Sequence, residues 1–253
     1  MGSLEIPYDT PAINGYAYPV ALAFGLLAHL PLLDLLVFGT CGMALHELGH
    51  ATAAWLGGFV ALPLPFFTME PSEDRNWGLV LGMAAAIGAV GVHGWRTRRW
   101  GQVVFAGVAA ALQIFLTIAN NPAQAQKWML WSGLGGEIIL STAGMLAFYQ
   151  RLPGRWDFWR YLVLGAAAPV FVRALLLWTG VAGGRAVMPH GSALGDDSNG
   201  DVERLVRVYH FTAEGLADGY LGLARACAIL LAIVYAARLR MALTGSTAAR
   251  SSP

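Results

Sequence analysis

Residues 35–57 read LLVFGTCGMALHELGHATAAWLG. In these 23 positions Glu47 is the one formally charged side chain, and about 20 apolar residues suffice to cross a bilayer as a helix. The stretch predicts a membrane-spanning helix. It also holds His46, Glu47 and His50, three ionisable groups within five residues. Placed near the middle of a span, such groups are costly unless they serve a shared purpose. Two questions follow: whether the rest of the chain is also membrane-embedded, and what that purpose is.

The rest of the chain repeats the pattern. Apolar runs at 77–95, 101–119, 128–149, 161–181 and 215–237 are each long enough to span. A further run at 16–33, interrupted by Pro31 and followed by Asp34, is either a short extra span or an interfacial helix. Composition agrees, with 57% hydrophobic residues and 12% charged residues, half the charged share of an ordinary soluble domain. Thirty-one charged side chains, 16 basic and 15 acidic, are too few to clothe a soluble protein of 253 residues. A net charge of +1 offers no basic surface, which excludes nucleic acid as a partner. The two cysteines, Cys41 and Cys227, sit in apolar runs and suggest neither a disulfide framework nor a thiolate metal site.

The expected architecture is therefore all-α: a polytopic transmembrane helical bundle of six or seven spans, forming a single integral membrane domain over residues 1–253. Within it lie an N-terminal segment at 1–15, the motif helix at 35–57, a polar acidic loop at 183–214 and a C-terminal tail at 241–253. The apolar run at 16–33 has no basic segment ahead of it, so it does not read as a cleaved signal peptide. Fifteen of the 16 basic residues are Arg, a bias that points to a bacterial chain and hence to the inner (cytoplasmic) membrane. Arg96, Arg98, Arg99, Arg151, Arg155, Arg160, Arg238, Arg240 and Arg250 fall on one side of the spans. Arg75, Lys127, Arg185, Arg204 and Arg207 fall on the other. The excess marks the first side, with the C-terminus, as cytoplasmic. Trp77, Trp95, Trp100, Trp128, Trp131, Trp156 and Trp159 flank the runs as an interface belt.

The purpose of the buried ionisable groups is suggested by their spacing. His46-Glu47-Leu48-Gly49-His50 is an H-E-x-x-H pattern in a helical setting. On a helix, residues i and i+4 share a face, so both imidazoles can reach one Zn2+ ion. Glu47 can then approach a zinc-bound water without ligating the metal, and act as general base.

A polytopic chain with this motif followed by the small residues Ala51 and Ala54 resembles the site-2 protease family of intramembrane zinc metallopeptidases. The likeness is concentrated in residues 41–58. It implies a zinc metalloendopeptidase that acts on a membrane-anchored protein substrate within the lipid bilayer, with His46 and His50 as metal ligands and Glu47 as catalytic base. The family supplies a third ligand from a later Asp-Gly motif. This chain has no Leu-Asp-Gly; the nearest counterpart is Asn199-Gly200-Asp201-Val202-Glu203. The resemblance to short, divergent members favours Asp201, with Asp196, Asp197 and His190 close by. Glu137, about nine residues into the run at 128–149, lies at a depth similar to the histidines and is the alternative third ligand. A non-proteolytic metal-binding membrane protein and a transporter remain the alternative readings of the same residues.

Two further features carry expectations. Arg173 and Arg225 fall inside apolar runs, and an intramembrane Arg needs a partner; Asp218 is the expected partner of Arg173. Pro63 and Pro65 in Ala61-Leu62-Pro63-Leu64-Pro65-Phe66-Phe67 disfavour helix and favour an extended segment after the motif helix. The resemblance implies that this segment presents substrate by edge pairing.

Overall fold

The computed structural model describes residues 10–69, 74–150, 157–189 and 200–250. It is all-α and 80% helical. Among the described residues, five helical stretches are long and apolar enough to cross a membrane: Leu32–Gly57, Trp77–Arg96, Trp100–Ala119, Trp159–Ala182 and Ala213–Thr244. They coincide with five of the runs read from sequence and suit a membrane protein. The other two runs differ. Residues 128–149 fall on a helix that carries Lys127, Ser132, Glu137, Ser141 and Thr142 along with several glycines, which lowers its hydropathy. Residues 16–33 fall on a shorter apolar helix, Gly15–Leu27, that stops before Pro31.

The chain divides into two compact units. One comprises Met1–Gly42, Glu137–Val187 and Ala217–Pro253. Its helices are α1 (Pro11–Leu27), α2 (Pro31–Val37), the end of α6 (Pro122–Ala147), α7 (Trp159–Ala182) and most of α9 (Ala213–Arg250). Thr10 caps α1, its hydroxyl accepting from Ile13 N, so the expected N-terminal segment 1–15 is already helical from Pro11. The expected tail at 241–253 is likewise a continuation of α9 as far as Arg250. Helix α1 packs on α7. Tyr18 is buried between the rings of Tyr149 and Tyr235, and its hydroxyl donates to Met145 O at 2.7 Å.

Arg173 in this unit pairs with Asp34, Nε to Oδ1 at 3.1 Å, and not with Asp218. Its guanidinium also lies over the Phe38 ring. The correction has a simple cause. Asp34 does not end an apolar stretch but sits in the first turn of α2, at the head of the helical run Leu32–Gly57, and α2 with the Phe38–Gly42 turn that follows it packs beside α7.

The second unit comprises Met43–Gly136 and Met188–Leu216. It contains α3 (Met43–Gly57), the two-stranded pair β1 (Leu62–Pro63) and β2 (Thr68–Met69), α4 (Trp77–Arg96), α5 (Trp100–Ile114), the start of α6 and α8 (Asp201–Arg207). The π-helical turn Phe38–Gly42, which closes the first unit's N-terminal segment, runs on in sequence into α3, and another, Phe115–Ala119, ends α5. Ala51, Ala54, Leu56, Phe59, Ile87, Ala106, Leu116 and Met129 form the core of this unit.

Helix α3 ends in a Schellman motif. Phe59 N donates to Ala54 O and Gly58 N to Trp55 O, with Gly58 at φ +84°, a conformation that glycine adopts without steric cost. Arg75 then fastens this end. Its guanidinium donates to the carbonyls of Gly57, Leu116, Thr117 and Asn120, all at helix ends that lack intrahelical partners. The polar loop expected over 183–214 is not wholly irregular, because Asp201–Arg207 forms a short helix in it.

Candidate metal centre

Helix α3 places His46, Glu47 and His50 in consecutive turns, with Glu47 and His50 buried. Helix α6 lies against it at very close range, and glycines permit this. Gly49 and Gly136 meet backbone to backbone, and a Cβ on Gly49 would strike Ser132 O. Ser132 Oγ donates to Gly49 O at 3.1 Å across the crossing. Small residues at membrane-helix contacts have this effect generally. One turn earlier on α6, Gly133 faces the imidazoles themselves: a Cβ there would lie 2.5 Å from His50 Nε2 and 2.7 Å from His46 Nε2. The absence of a side chain at 133 is what leaves room at the ligand atoms.

Asp201, the first residue of α8, enters from the far end of the sequence. Its Oδ2 lies 2.9 Å from His46 Nε2 and 2.9 Å from His50 Nε2. Among the described residues these three form the one group of His, Cys, Asp or Glu side chains disposed to hold a metal ion, with ligand atoms within 4.8 Å of one another. Burial alone would raise the Asp201 pKa. The facing imidazoles, His50 above all, outweigh it and hold the carboxyl below the usual carboxylate range.

The donor set fits zinc. Two imidazole nitrogens and a carboxylate oxygen are an ordinary catalytic zinc set that leaves a fourth position open. Bonds of about 2.0–2.1 Å in a tetrahedron put ligand atoms roughly 3.3 Å apart, a few tenths of an ångström beyond the 2.9 Å that separates Asp201 Oδ2 from each imidazole Nε2. His50 Nδ1 donates to Met129 O at 2.8 Å. That bond fixes the ring and its tautomer, and leaves the Nε2 lone pair for a metal. Glu47 stands apart from the three ligand atoms, its Oε2 accepting from Thr68 Oγ1 at 2.8 Å.

No protein-family model, curated protein or solved structure matches the chain.

Glu137, the alternative third ligand, is not part of the cluster. It is 2% exposed on α6, four residues past Gly133. That spacing is one turn, about 6 Å along the axis, so the position facing the imidazoles is the glycine. His190, Asp196 and Asp197 lie outside the described residues. The segment read as extended does form β1, which pairs antiparallel with β2 in the register Leu62 with Met69 and Pro63 with Thr68. Sequence reading missed Thr68, the Met129 carbonyl and Gly133. Gly133, Gly135 and Gly136 in an apolar helix were a legible signal for close packing; Thr68 and Met129 gave none.

Proposed function

We propose that the chain is a zinc-dependent intramembrane endopeptidase of the site-2 protease type, acting on membrane-anchored proteins in a bacterial inner membrane. The observation that carries this reading is the meeting of Asp201 Oδ2 with both Nε2 atoms of an H-E-x-x-H helix, beside a separately held Glu47 carboxylate. His46, His50 and Asp201 would hold the metal. When bound, zinc supplies a Lewis acid that lowers the pKa of a coordinated water to about 7 and polarises the scissile carbonyl.

The chain's own residues do the rest. Glu47 accepts the proton of the attacking water on its carboxylate and later passes it to the departing amine nitrogen. Met129 O keeps the His50 ring in place, and the close contact between α3 and α6 excludes bulk water from one side of the centre. The β1–β2 pair presents an extended peptide edge beside Glu47, in keeping with a substrate that must be unwound before it is cut. On this reading α6 also crosses the membrane, its Glu137, Ser141 and Thr142 buried in protein rather than lipid, which gives six spans. The side rich in Arg, with the C-terminus, is cytoplasmic.

The test uses the full chain purified without chelators, and a single-span fusion protein tagged on both sides of its span. The expected result is about one zinc per chain and cleavage of the fusion protein that Glu47→Gln abolishes while zinc is retained. A zinc-free protein, or cleavage untouched by Glu47→Gln, overturns the peptidase reading. Zinc without cleavage of any membrane-anchored protein would favour a metal-binding role.

A further inference from the structure

We propose that Thr68 is a positioning residue for Glu47, an assignment that rests on the peptidase reading above. Thr68 belongs to β2, not to the motif helix, and is 21 residues from Glu47. Its hydroxyl carries a single hydrogen and stands 2.8 Å from Glu47 Oε2 and 3.0 Å from Glu47 O. Among the described residues it is the one donor that reaches the Glu47 carboxylate. Glu47 is 6% exposed, and a buried carboxylate with no donor would be both costly and free to turn.

The consequences are directional. Binding Oε2 fixes the plane of the carboxylate and leaves Oε1 as the oxygen with no donor among the described residues. Oε1 is therefore the atom that takes and returns the proton. The hold is also remote in origin. Thr68 is kept in place by the strand pair, opposite Pro63, and by the turn in which Leu64 N donates to Phe67 O. The base is thus oriented by the segment that follows the helix, and the helix alone does not suffice to aim it. General bases contribute about 10²–10⁴-fold to rate when correctly placed, and small misplacements at a reacting centre lose much of that.

The experiment compares Thr68→Val, which keeps the branched shape and strand preference but has no hydroxyl, with Thr68→Ser, which keeps the hydroxyl. Glu47→Gln runs in parallel, on the same tagged single-span fusion protein. The expected result for Thr68→Val is a kcat lowered at least fivefold, with KM unchanged and zinc still near one per chain. Thr68→Ser should recover most of the loss. A fall of less than fivefold in Thr68→Val, with Glu47→Gln inactive, overturns the assignment and leaves the peptidase reading standing. Zinc loss from Thr68→Val, or a Thr68→Ser rate no better than that of Thr68→Val, also overturns it, because the role is then structural. If Glu47→Gln turns over normally, the peptidase reading fails and the assignment falls with it.

Discussion

Replacing Gly133 by alanine adds a single methyl group where both imidazoles stand. The new Cβ would lie 2.5 Å from His50 Nε2, 2.6 Å from His50 Cε1 and 2.7 Å from His46 Nε2. Ordinary contact begins near 3.4 Å, so the overlap is 0.7–0.9 Å against rigid ring atoms. The α3–α6 contact cannot open freely to relieve it, because Gly49 and Gly136 meet there and Ser132 Oγ bonds Gly49 O. The imidazoles must turn instead, His50 against its bond to Met129 O. Overpacking of this kind costs about 1–3 kcal/mol. Levied on the ligand geometry, that is roughly a 5- to 150-fold loss of zinc affinity, at 1.4 kcal/mol per tenfold. The assay is competition with a chromophoric chelator on detergent-solubilised protein, with circular dichroism to verify helicity. Gly107→Ala on α5 is the control, since its Cβ meets nothing within 4 Å. Zinc affinity within twofold of the parent, in a Gly133→Ala protein of parental helicity, refutes the reasoning.

The third ligand can be tested directly: Asp201→Asn should lower zinc content well below one per chain, whereas Glu137→Gln should leave it unchanged, both read by metal analysis after gel filtration. Arg75→Lys keeps the charge but gives up the planar fork that serves four carbonyls. It should destabilise the second unit by about 1–2 kcal/mol, seen as a lower thermal unfolding midpoint in detergent with helicity at low temperature unchanged.

How much was legible in the sequence depends on range. The candidate ligand pair His46 and His50 and the candidate base Glu47 lie within about one helical turn of each other, so a local pattern names them. The five apolar stretches are equally local; the bounds of four agree to within three residues, and the last, read as 215–237, continues to Thr244. Asp201 is 155 residues from His46, and no periodicity links the two; only membrane depth and a family likeness pointed towards it. The same considerations left Glu137 open, because depth along a helix does not reveal which residue of the turn faces a neighbour. Arg173 was given the wrong acid for a related reason. Asp34 looked like the end of a run when Pro31 in fact starts the next helix, as proline at a first helical position does. Thr68 and the Met129 carbonyl were out of reach. A two-residue strand has too few positions to show alternation, and a main-chain acceptor has no residue identity at all.

The distance between the histidines and Asp201 also sets a schedule for biosynthesis. Ribosomes add about 5–20 residues per second, so the 155 residues that separate His46 from Asp201 take about 8–30 s to emerge. Throughout that interval the motif helix can already be in the bilayer with His46, Glu47 and His50 in place, yet without the Asp201 carboxylate that completes the cluster. On the peptidase reading proposed above, a chain assembled in this order would stay inert while it is being made, and neighbouring nascent chains would pass through the same membrane before it acquires the means to cut them.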